Sequence, residues 1–338
     1  MFSQIADGPL PVLVERPVIG LDVGGTKIAG GVVTEGALCR RIVMPTPREE
    51  HQERVVDALC EVVAELRLSH PDVAAIGVGA AGMVEWPQGR IRWAPNNVYR
   101  ELDLREVLVE ATGLPVVVDN DGNAMAWGEY RLGVGKGTPL RDVVCLTIGT
   151  GVGGGIILDG KMYRGRTGIG AEVGHIVVDP NSGARCGCGS VGCLEALASG
   201  TALERLGREA VCWEPEGALA EISRTNGPLT GAAVSACALS GDPTAIALLA
   251  RIGYWLGIGI ANLVNLFEPE VVVVGGGLGG TGNKLLFGPA RSTFESYLFG
   301  RRHRRDVPSI VPALLGADAG LMGAAAIALE EATSQAFE

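Results

Sequence analysis

The sequence predicts an α/β protein with two similar lobes and a ligand-binding cleft between them. Short β-rich runs at 18–23 and 28–33 flank a turn of glycine, threonine and lysine, which predicts a strand, a Gly-rich turn and a strand. The same pattern returns at 145–158 around a second Gly/Thr turn. Strand-like and helical segments alternate along the chain, which is typical of α/β folds. Because the unit occurs twice, with Gly and Thr in each turn, we expect a ligand between two lobes.

The remaining elements of the first half follow from periodicity. Apolar residues recur at helical spacing, at Val55, Leu59, Val62 and Leu66. Residues 73–78 and 116–118 predict buried strands. A short helix is predicted at 104–111, and another begins within 119–124.

The second half contains further helix and strand signals. Thr201 and Glu204 have the spacing of a capping box and predict a helix start. A strand is predicted at 271–274 and a helical segment at 283–298. The Gly- and Pro-containing stretch 133–139 predicts a hinge between the two halves.

Composition and charge exclude several classes of protein. A length of 338 residues suits two domains, and 28 basic against 38 acidic residues give a net charge of −10. That balance argues against a protein whose whole surface binds nucleic acid or anionic lipid. The N-terminus lacks a cationic start followed by an apolar run, so we expect no signal peptide. Eight cysteines without an export signal indicate a reducing compartment, so we expect a cytoplasmic protein.

Two segments could indicate a membrane or a nucleic acid as a partner, and neither interpretation is favoured. Residues 245–267 are apolar enough to span a bilayer, but Arg251, Asn262 and Asn265 interrupt them, and a charge in mid-bilayer is costly. A buried core helix is therefore predicted. The basic run 301–305 is more typical of a solvated loop than of a nucleic-acid patch.

The first Gly/Thr turn has the residue types of a phosphate site, namely Asp22, Gly24, Gly25, Thr26 and Lys27. Glycine amides and a hydroxyl can surround phosphate oxygens, and the carboxylate can hold a magnesium ion or its water. A simple tight hairpin would need glycine but neither the aspartate nor the threonine. The second turn, with Gly149, Thr150 and Gly151, favours phosphate contacts from both lobes.

A third glycine run follows the predicted strand at 271–274. Residues 275–280 match the dinucleotide fingerprint G-x-G-x-x-G, which would favour a dehydrogenase. A Rossmann unit, however, expects an acidic residue after the next strand, about twenty residues on, where 283–298 is predicted to be helical. Close approach of Gly276 and Gly277 to a nucleotide's sugar and base is the alternative, and a tight strand-to-helix turn remains open.

Polar residues crowd the predicted helix start at 119–123. One N-cap requires one such side chain, and four are present, at Asp119, Asn120, Asp121 and Asn123. A spare carboxylate there is a candidate for chemistry. By itself Asn96, in the run Trp-Ala-Pro-Asn, predicts only a turn.

One imidazole and three thiols lie in a Gly-rich loop, at His175, Cys186, Cys188 and Cys193. This is the soft ligand set that zinc takes in closed structural sites, with no position left for a catalytic water. A structural zinc is therefore favoured over a zinc hydrolase. Buried free cysteines would leave Gly187, Gly189 and Gly192 unexplained. A metal here would also orient the neighbouring Glu172 and Glu195.

In this order, the motifs resemble those of the ROK family of bacterial sugar kinases and repressors, most closely its glucokinases. The resemblance extends over residues 19–329. The matching stretches are LDVGGTKIAGGVV, GAAG at 79–82, WAPN, VDNDGNAMAWGEYRLGVGKG, LTIGTGVGGGII, GAEVGH, CGCGSVGCLEALASG, VVVVGGGLG and LGADAGLMGAA.

The resemblance implies a two-lobed actin-like or hexokinase-type ATPase fold, of the ribonuclease H-like kind, with the active site in the interlobe cleft. Residues 18–132 and 315–338 would form a small α/β lobe. Residues 133–314 would form a large α/β lobe with a zinc loop at 172–195, and residues 1–17 an N-terminal extension.

The resemblance also implies transfer of the γ-phosphate of ATP to the 6-hydroxyl of glucose, with Asp121 as general base, Mg²⁺ bound with the nucleotide and a structural Zn²⁺. Sugar contacts are implied for Gly82, Asn96, Asn120, Asp121, Glu172, His175 and Glu195. Nucleotide contacts are implied for Asp22, Gly24, Gly25, Thr26, Lys27, Gly149, Thr150, Gly151, Gly276 and Gly277. Because family members are commonly dimers or tetramers, we expect a homo-oligomer.

The sequence departs from the family pattern at Gly122, where alanine is usual, and at Asn97, after the motif asparagine. Gly122 is expected to loosen the helix start behind Asp121 and so to affect rate and affinity. Fructose, mannose or N-acetylmannosamine as the sugar, and polyphosphate as the donor, remain alternatives. A sugar-sensing repressor is less favoured, because only 21 residues precede Asp22 and a helix-turn-helix needs more.

Overall fold

The computed structural model describes residues 16–47, 51–94, 99–279 and 284–335. The strands are β1 Val18–Val23, β2 Lys27–Thr34, β3 Ala37–Pro45, β4 Ile76–Ala80, β5 Met83–Glu85, β6 Arg90–Trp93, β7 Arg100–Leu102, β8 Val116–Asn120, β9 Val143–Ile148, β10 Val152–Leu158, β11 Lys161–Met162, β12 Val271–Gly275 and β13 Ser309–Pro312. The helices are α1 Glu53–Ser69, α2 Leu104–Thr112, α3 Asp121–Arg131, α4 Leu194–Ala198, α5 Gly200–Trp213, α6 Ala218–Asn226, α7 Gly231–Leu239, α8 Pro243–Phe267, α9 Gly276–Gly279, α10 Lys284–Tyr297 and α11 Ala319–Gln335.

The two large sheets have the same strand order and the same strand directions. The first runs β3-β2-β1-β4-β8. Strand β2 is antiparallel to both β3 and β1, whereas β4 is parallel to β1 and β8 is parallel to β4. The second runs β11-β10-β9-β12-β13 with the same pattern of directions. The first Gly/Thr turn joins β1 to β2, and the second joins β9 to β10. The predicted duplication of one α/β unit is therefore confirmed.

Most predicted helices and strands lie where the sequence placed them. The four apolar positions of α1 are all buried, and α2, α10 and β12 begin within one residue of the predicted starts. The strand predicted at 73–78 is wrong at its start, because β4 begins only at Ile76, where pairing with Ile19 of β1 begins. The helix predicted within 119–124 begins at Asp121, with Asn120 as its N-cap.

The predicted Thr201/Glu204 capping box is wrong. Ser199 is the N-cap of α5, and its side chain accepts a hydrogen bond from the Ala202 N–H at 3.0 Å. The Thr201 hydroxyl instead donates to the carbonyl of Thr150 at 2.8 Å. A tertiary contact with the second Gly/Thr turn therefore takes the hydroxyl that local sequence offered to a cap.

Helix α8 is the apolar segment that resembles a membrane span. Among the described residues it is the one helix long and apolar enough to cross a membrane by length and composition. One face is buried in the core beside the second sheet, at Leu249, Ile252, Leu256 and Ile260. Gly257 lets α10 approach closely, because a Cβ there would lie 2.4 Å from the Ala290 carbonyl oxygen. The predicted core position of this helix is confirmed.

Helix α11 packs on the first sheet through glycines of its strands. A Cβ at Gly20 of β1 would lie 1.9 Å from the Leu321 carbonyl oxygen, and one at Gly77 of β4 would lie 1.9 Å from that of Ala324. Helices α3 and α11 meet in the same way at Gly128 and Gly323. Glycine is required at these positions because two backbones touch there.

A buried carboxylate joins the two chain segments that connect the sheets. Glu129 of α3 is fully buried, and its carboxylate accepts three backbone hydrogen bonds. The donors are the N–H groups of Val134 at 3.3 Å, Leu314 at 3.0 Å and Leu315 at 2.7 Å. Val134 lies in the predicted hinge after α3, and Leu314 and Leu315 lie between β13 and α11. The Glu129 side chain thus holds together the two chain segments that connect the sheets.

Glu129→Ala is expected to lower the free energy of unfolding by about 3 kcal/mol or more, since each partly buried N–H that loses its acceptor costs about 1–3 kcal/mol. Urea unfolding of the two proteins measures the difference. Glu129→Gln, which keeps one acceptor oxygen, is the matched variant and should lose less. An alanine variant within about 0.5 kcal/mol of the wild type, the range of an ordinary surface change, would contradict the assigned role.

Candidate active site

A cleft of about 590 Å³ lies between the two large sheets. Both Gly/Thr turns open into it, together with the carboxyl ends of β4 and β8 and the cysteine-bearing loop. The sequence-predicted residues that line it are Asp22, Gly24, Gly25, Thr26, Lys27, Gly82, Asn120, Asp121, Gly149, Thr150, Gly151, Glu172, His175, Cys188 and Glu195. Residues far apart in sequence therefore meet in one cavity.

Three residues predicted to contact sugar or nucleotide stand apart from this set. Asn96 lies outside the described residues. Gly276 and Gly277 follow β12 and do not line the cavity. Gly276 has a φ of +82° and packs on the end of β9, where a Cβ would lie 2.6 Å from the Ile148 backbone. The Gly276–Gly277 pair therefore adjoins the second Gly/Thr turn, which begins at Gly149, directly after Ile148.

Sequence reasoning missed several lining residues, at Ala81, Met83, Trp93, Ala94, Thr147, Val152 and Ser190. Most are apolar and carry no chemical signature of their own. Trp93 and Ala94 were signalled only by their place in the run Trp-Ala-Pro-Asn that ends at Asn96.

Asp22 lies at the end of β1 and faces the cleft. Burial raises the pKa of its carboxyl to about 7, with a further increase from the charge of Asp121 and an opposing effect from Lys27. The first turn is closed by the Gly24 N–H, which donates to the Lys27 carbonyl at 3.0 Å. Gly320, at the start of α11, packs against the carboxylate, where a Cβ would lie 2.9 Å from Cγ.

Asp22→Asn is expected to be more stable than the wild type in the ligand-free protein, by a margin that grows between about pH 5 and about pH 8. The folded-state pKa of Asp22 is about 7 against an ordinary 3.8. In this window the Asp22 carboxyl has released its proton in the unfolded chain but still retains it in the folded wild type. The wild type therefore loses stability as pH rises, whereas the neutral asparagine of Asp22→Asn does not titrate. Urea unfolding at both pH values tests this, and an unchanged margin would contradict it.

The second turn is held by the start of α5. The Gly149 N–H donates to the Gly151 carbonyl at 3.0 Å, and the Gly200 N–H donates to the Gly149 carbonyl at 2.8 Å. Glu195 touches the other side, where its Oε2 accepts the Val152 N–H at 3.1 Å. A Cβ at Gly151 would lie 2.2 Å from the same oxygen. Glycine there lets the carboxylate reach the backbone.

Asn120 and Asp121 are fixed at the junction of β8 and α3. The Asn120 amide donates to the Gly82 carbonyl at 3.1 Å, and its Oδ1 accepts the N–H groups of Gly122 and Asn123. The Asp121 Oδ1 accepts the Gly122 N–H at 2.9 Å. Burial raises the pKa of Asp121, and this backbone hydrogen bond partly opposes the increase. The result is a carboxyl of raised basicity at the cleft wall.

Gly122 has a packing reason that the sequence did not reveal. A Cβ at this position would lie 2.5 Å from the Gly154 carbonyl oxygen of β10. The glycine therefore lets the first turn of α3 contact the second sheet, close to the second Gly/Thr turn. The expected loosening of the helix start stays a prediction.

Two further carboxylates, those of Glu172 and Glu195, line the cleft beside the cysteine-bearing loop. Glu172 is exposed to the cleft, and desolvation by the cleft walls raises the pKa of its carboxyl to about 7, with further increases from the charges of Asp121 and Glu195. Clustered acceptors of this kind suit a ligand with several hydroxyl donors.

His175, Cys186, Cys188 and Cys193 converge, with one ligand atom of each within 4.8 Å of the others. The His175 Nδ1 lies 3.5 Å from the Cys186 Sγ, and the Cys188 Sγ lies 3.8 Å from the Cys193 Sγ. Zinc–sulfur bonds of about 2.3 Å in a tetrahedron place two sulfurs about 3.8 Å apart. A disulfide would require about 2.05 Å. These two distances therefore match the edges of a zinc tetrahedron, and all four atoms lie close enough together to hold one ion.

The sequence left open why this loop contains three glycines, and the structure explains two of them. Gly189 and Gly192 have φ values of +94° and +77°, which favour glycine. A Cβ at Gly192 would also lie 1.9 Å from the Asp179 carbonyl oxygen. Nothing in the structure explains Gly187.

Comparison with known proteins identifies a family and several named relatives that this chain resembles. The ROK family model matches residues 18–331. A glucokinase of Streptomyces coelicolor is 43% identical over 316 residues, which cover 92% of this chain and 97% of that protein. The crystal structure of a ROK family glucokinase from Streptomyces griseus, in complex with glucose and AMPPNP, is 43% identical with a TM-score of 0.84, covering 93% of this chain and 99% of that one. A ROK hexokinase from Thermus thermophilus is 38% identical with a TM-score of 0.76, covering 94% and 100%.

Proposed function

The chain belongs to the ROK family, and we propose that it is a glucokinase that transfers the γ-phosphate of ATP to the 6-hydroxyl of glucose. Its fold is the two-lobed, actin-like or hexokinase-type fold of its structural relatives. The observation that carries the proposal is the single cleft in which two Gly/Thr turns and Asp121 meet. The 43% identity to a glucokinase solved with glucose and an ATP analogue supports the choice of both substrates.

Asp121 is the proposed general base. A sugar hydroxyl loses its proton as it attacks the γ-phosphorus, and a carboxylate within hydrogen-bond reach can orient the hydroxyl and accept the proton late. Burial raises the pKa of Asp121, which makes it a stronger base than an exposed aspartate. The Gly122 N–H and the Asn120 cap hold the carboxylate in place.

The two turns would bind the phosphates from opposite walls of the cleft. Glycine amides and the hydroxyls of Thr26 and Thr150 provide donors to phosphate oxygens. Mg²⁺, when bound with the nucleotide, would neutralise charge on the phosphates. Asp22 is the carboxylate that would hold it or its water. Gly276 and Gly277 adjoin the second turn and are proposed for the adenosine side.

Glucose hydroxyls are proposed to bind Gly82, Asn96, Asn120, Glu172, His175 and Glu195. His175 would serve both sites, because it is also a proposed ligand of a structural zinc with Cys186, Cys188 and Cys193. The convergence of these four side chains, with two pair distances that match a zinc tetrahedron, supports that metal. Zinc would then fix the loop that presents Glu172 and Glu195.

The finer assignments rest on the family. We propose lobes of residues 18–132 with 315–338 and of 133–314, assembly into a dimer or tetramer, and a place in the cytoplasm at the entry of glucose into glycolysis. The packing of α11 on the first sheet supports the first of these assignments.

A substrate panel tests the proposed function. Sugar-phosphate formation is measured for glucose, fructose, mannose and N-acetylmannosamine, each with ATP and with polyphosphate. We expect the highest kcat/KM for glucose with ATP. A higher kcat/KM for N-acetylmannosamine, or for polyphosphate as donor, would contradict the proposal.

A further inference from the structure

The side chain of Arg164 contacts β8, the strand that ends at Asn120. Arg164 lies shortly after β11, and its Nε donates to the Oδ2 of Asp119 at 2.8 Å. The Asp119 side chain is 3% exposed and that of Arg164 is 17% exposed. This ion pair is therefore shielded from solvent, unlike the surface pairs of the protein.

Asp119 in turn supports the residues proposed for chemistry. Its Oδ1 accepts the Asn120 N–H at 2.7 Å and the Asn123 side-chain amide at 2.9 Å. Asn120 caps α3, and Asp121 is the first residue of that helix. The orientation of the junction between β8 and α3 therefore depends on Asp119, whose second oxygen Arg164 holds.

Arg164 also contacts the β5–β6 hairpin. Its guanidinium carbon lies 3.7 Å from the centroid of the Trp86 ring. The Trp86 N–H donates to the Thr167 carbonyl at 3.0 Å, and a Cβ at Gly168 would lie 2.3 Å from the Trp86 nitrogen. The segment after Arg164 is thus docked on the β5–β6 hairpin before the chain reaches Glu172.

We propose that Arg164 is a positioning residue for sugar phosphorylation. Through Asp119 it holds the Asn120–Asp121 junction in register with the loop that carries Glu172 and His175. The inference rests on the proposed function of this cleft. Arg164 does not line the described cavity, so it acts through Asp119 rather than by contact with the sugar.

The chemistry of the pair predicts an unusual pattern of variants. Removal of one partner from a buried ion pair leaves the other charge uncompensated, whereas removal of both leaves two neutral groups. Arg164→Met would leave a buried carboxylate two residues before Asp121. Asp119→Asn added to it would remove that charge and keep an oxygen for the Asn120 N–H. The second substitution should therefore restore part of what the first removes.

A double-mutant cycle tests this inference. Wild type, Arg164→Met, Asp119→Asn and the double variant are assayed well below their unfolding temperatures, with the sugar that the wild type phosphorylates best. We expect Arg164→Met to lower kcat/KM for the sugar about 30-fold and to change KM for ATP less than about two-fold. The double variant should recover about five-fold or more relative to Arg164→Met.

Two further variants keep the cycle decisive. Arg141→Met removes an exposed arginine that pairs with Asp159, and it should behave as the wild type. Arg164→Lys retains the charge if the methionine variant does not fold, and it should fall between wild type and Arg164→Met. Wild-type sugar kinetics in Arg164→Met, or a double variant no better than it, would overturn the inference. Preference for another sugar would count against the proposed function alone, because the cycle uses whichever sugar the wild type prefers.

Discussion

Asp121→Asn is expected to lower kcat about 1,000-fold, in the middle of the range for loss of a general base. The asparagine keeps the size of the side chain and an oxygen for the Gly122 N–H, so the start of α3 should be unchanged. It removes the group that accepts the proton from the sugar hydroxyl. Glucose affinity, measured by calorimetry, should therefore stay within about three-fold of the wild type, because the lost interaction acts mainly in the transition state.

Asp242→Asn is the matched control for this prediction. Asp242 also lies at a helix start, where its Oδ1 accepts the Ala245 N–H at 2.7 Å, but it is remote from the cleft lining. Asparagine caps helices as well as aspartate does, so this variant should keep wild-type kinetics. Near-normal kcat in Asp121→Asn would remove Asp121 from its proposed role.

Cys188→Ser is expected to abolish stoichiometric zinc binding and to lower both thermal stability and glucose affinity. Structural zinc in small domains binds with an apparent free energy on the order of 10 kcal/mol, so loss of one thiolate ligand has a large effect. Without the metal, the loop between His175 and Cys193 would no longer fix Glu172 and Glu195. Glu195 also contacts the Val152 N–H, so the second turn should be disturbed as well.

Metal analysis and thermal unfolding of the purified variant measure these effects. Cys212→Ser is the matched control, because Cys212 is exposed on α5 outside the cluster. It should retain one zinc per chain and wild-type stability. Full zinc occupancy in Cys188→Ser would contradict the four-ligand site.

The sequence predicted those features whose signals are local. The two strand–turn–strand units are encoded by short runs around Gly24–Thr26 and Gly149–Gly151, and repetition made them visible. The cluster of His175, Cys186, Cys188 and Cys193 was readable because its residue types and spacing are specific. The long apolar helix was readable because Arg251, Asn262 and Asn265 are incompatible with a bilayer centre.

Long-range contacts were not predictable from local pattern. Asp119 and Arg164 are 45 positions apart, and nothing near either residue indicates the other. No local pattern marks Glu129, although its carboxylate accepts hydrogen bonds from N–H groups up to 186 positions away. Ser199 and Thr201 both suit an N-cap, and the nearby Thr150 carbonyl decided between them. In each case the tertiary fold, rather than propensity, selects the partner.

The position of the phosphate on the product shows whether the cleft carries out the proposed reaction. Purified enzyme is incubated with glucose, ATP and Mg²⁺, and the product is analysed by phosphorus–proton correlation NMR. We expect glucose 6-phosphate and ADP in equal amounts, because Asp121 and the two Gly/Thr turns would bring the 6-hydroxyl to the γ-phosphate. Phosphate at another carbon of glucose, or ADP formed without a sugar ester, would contradict it.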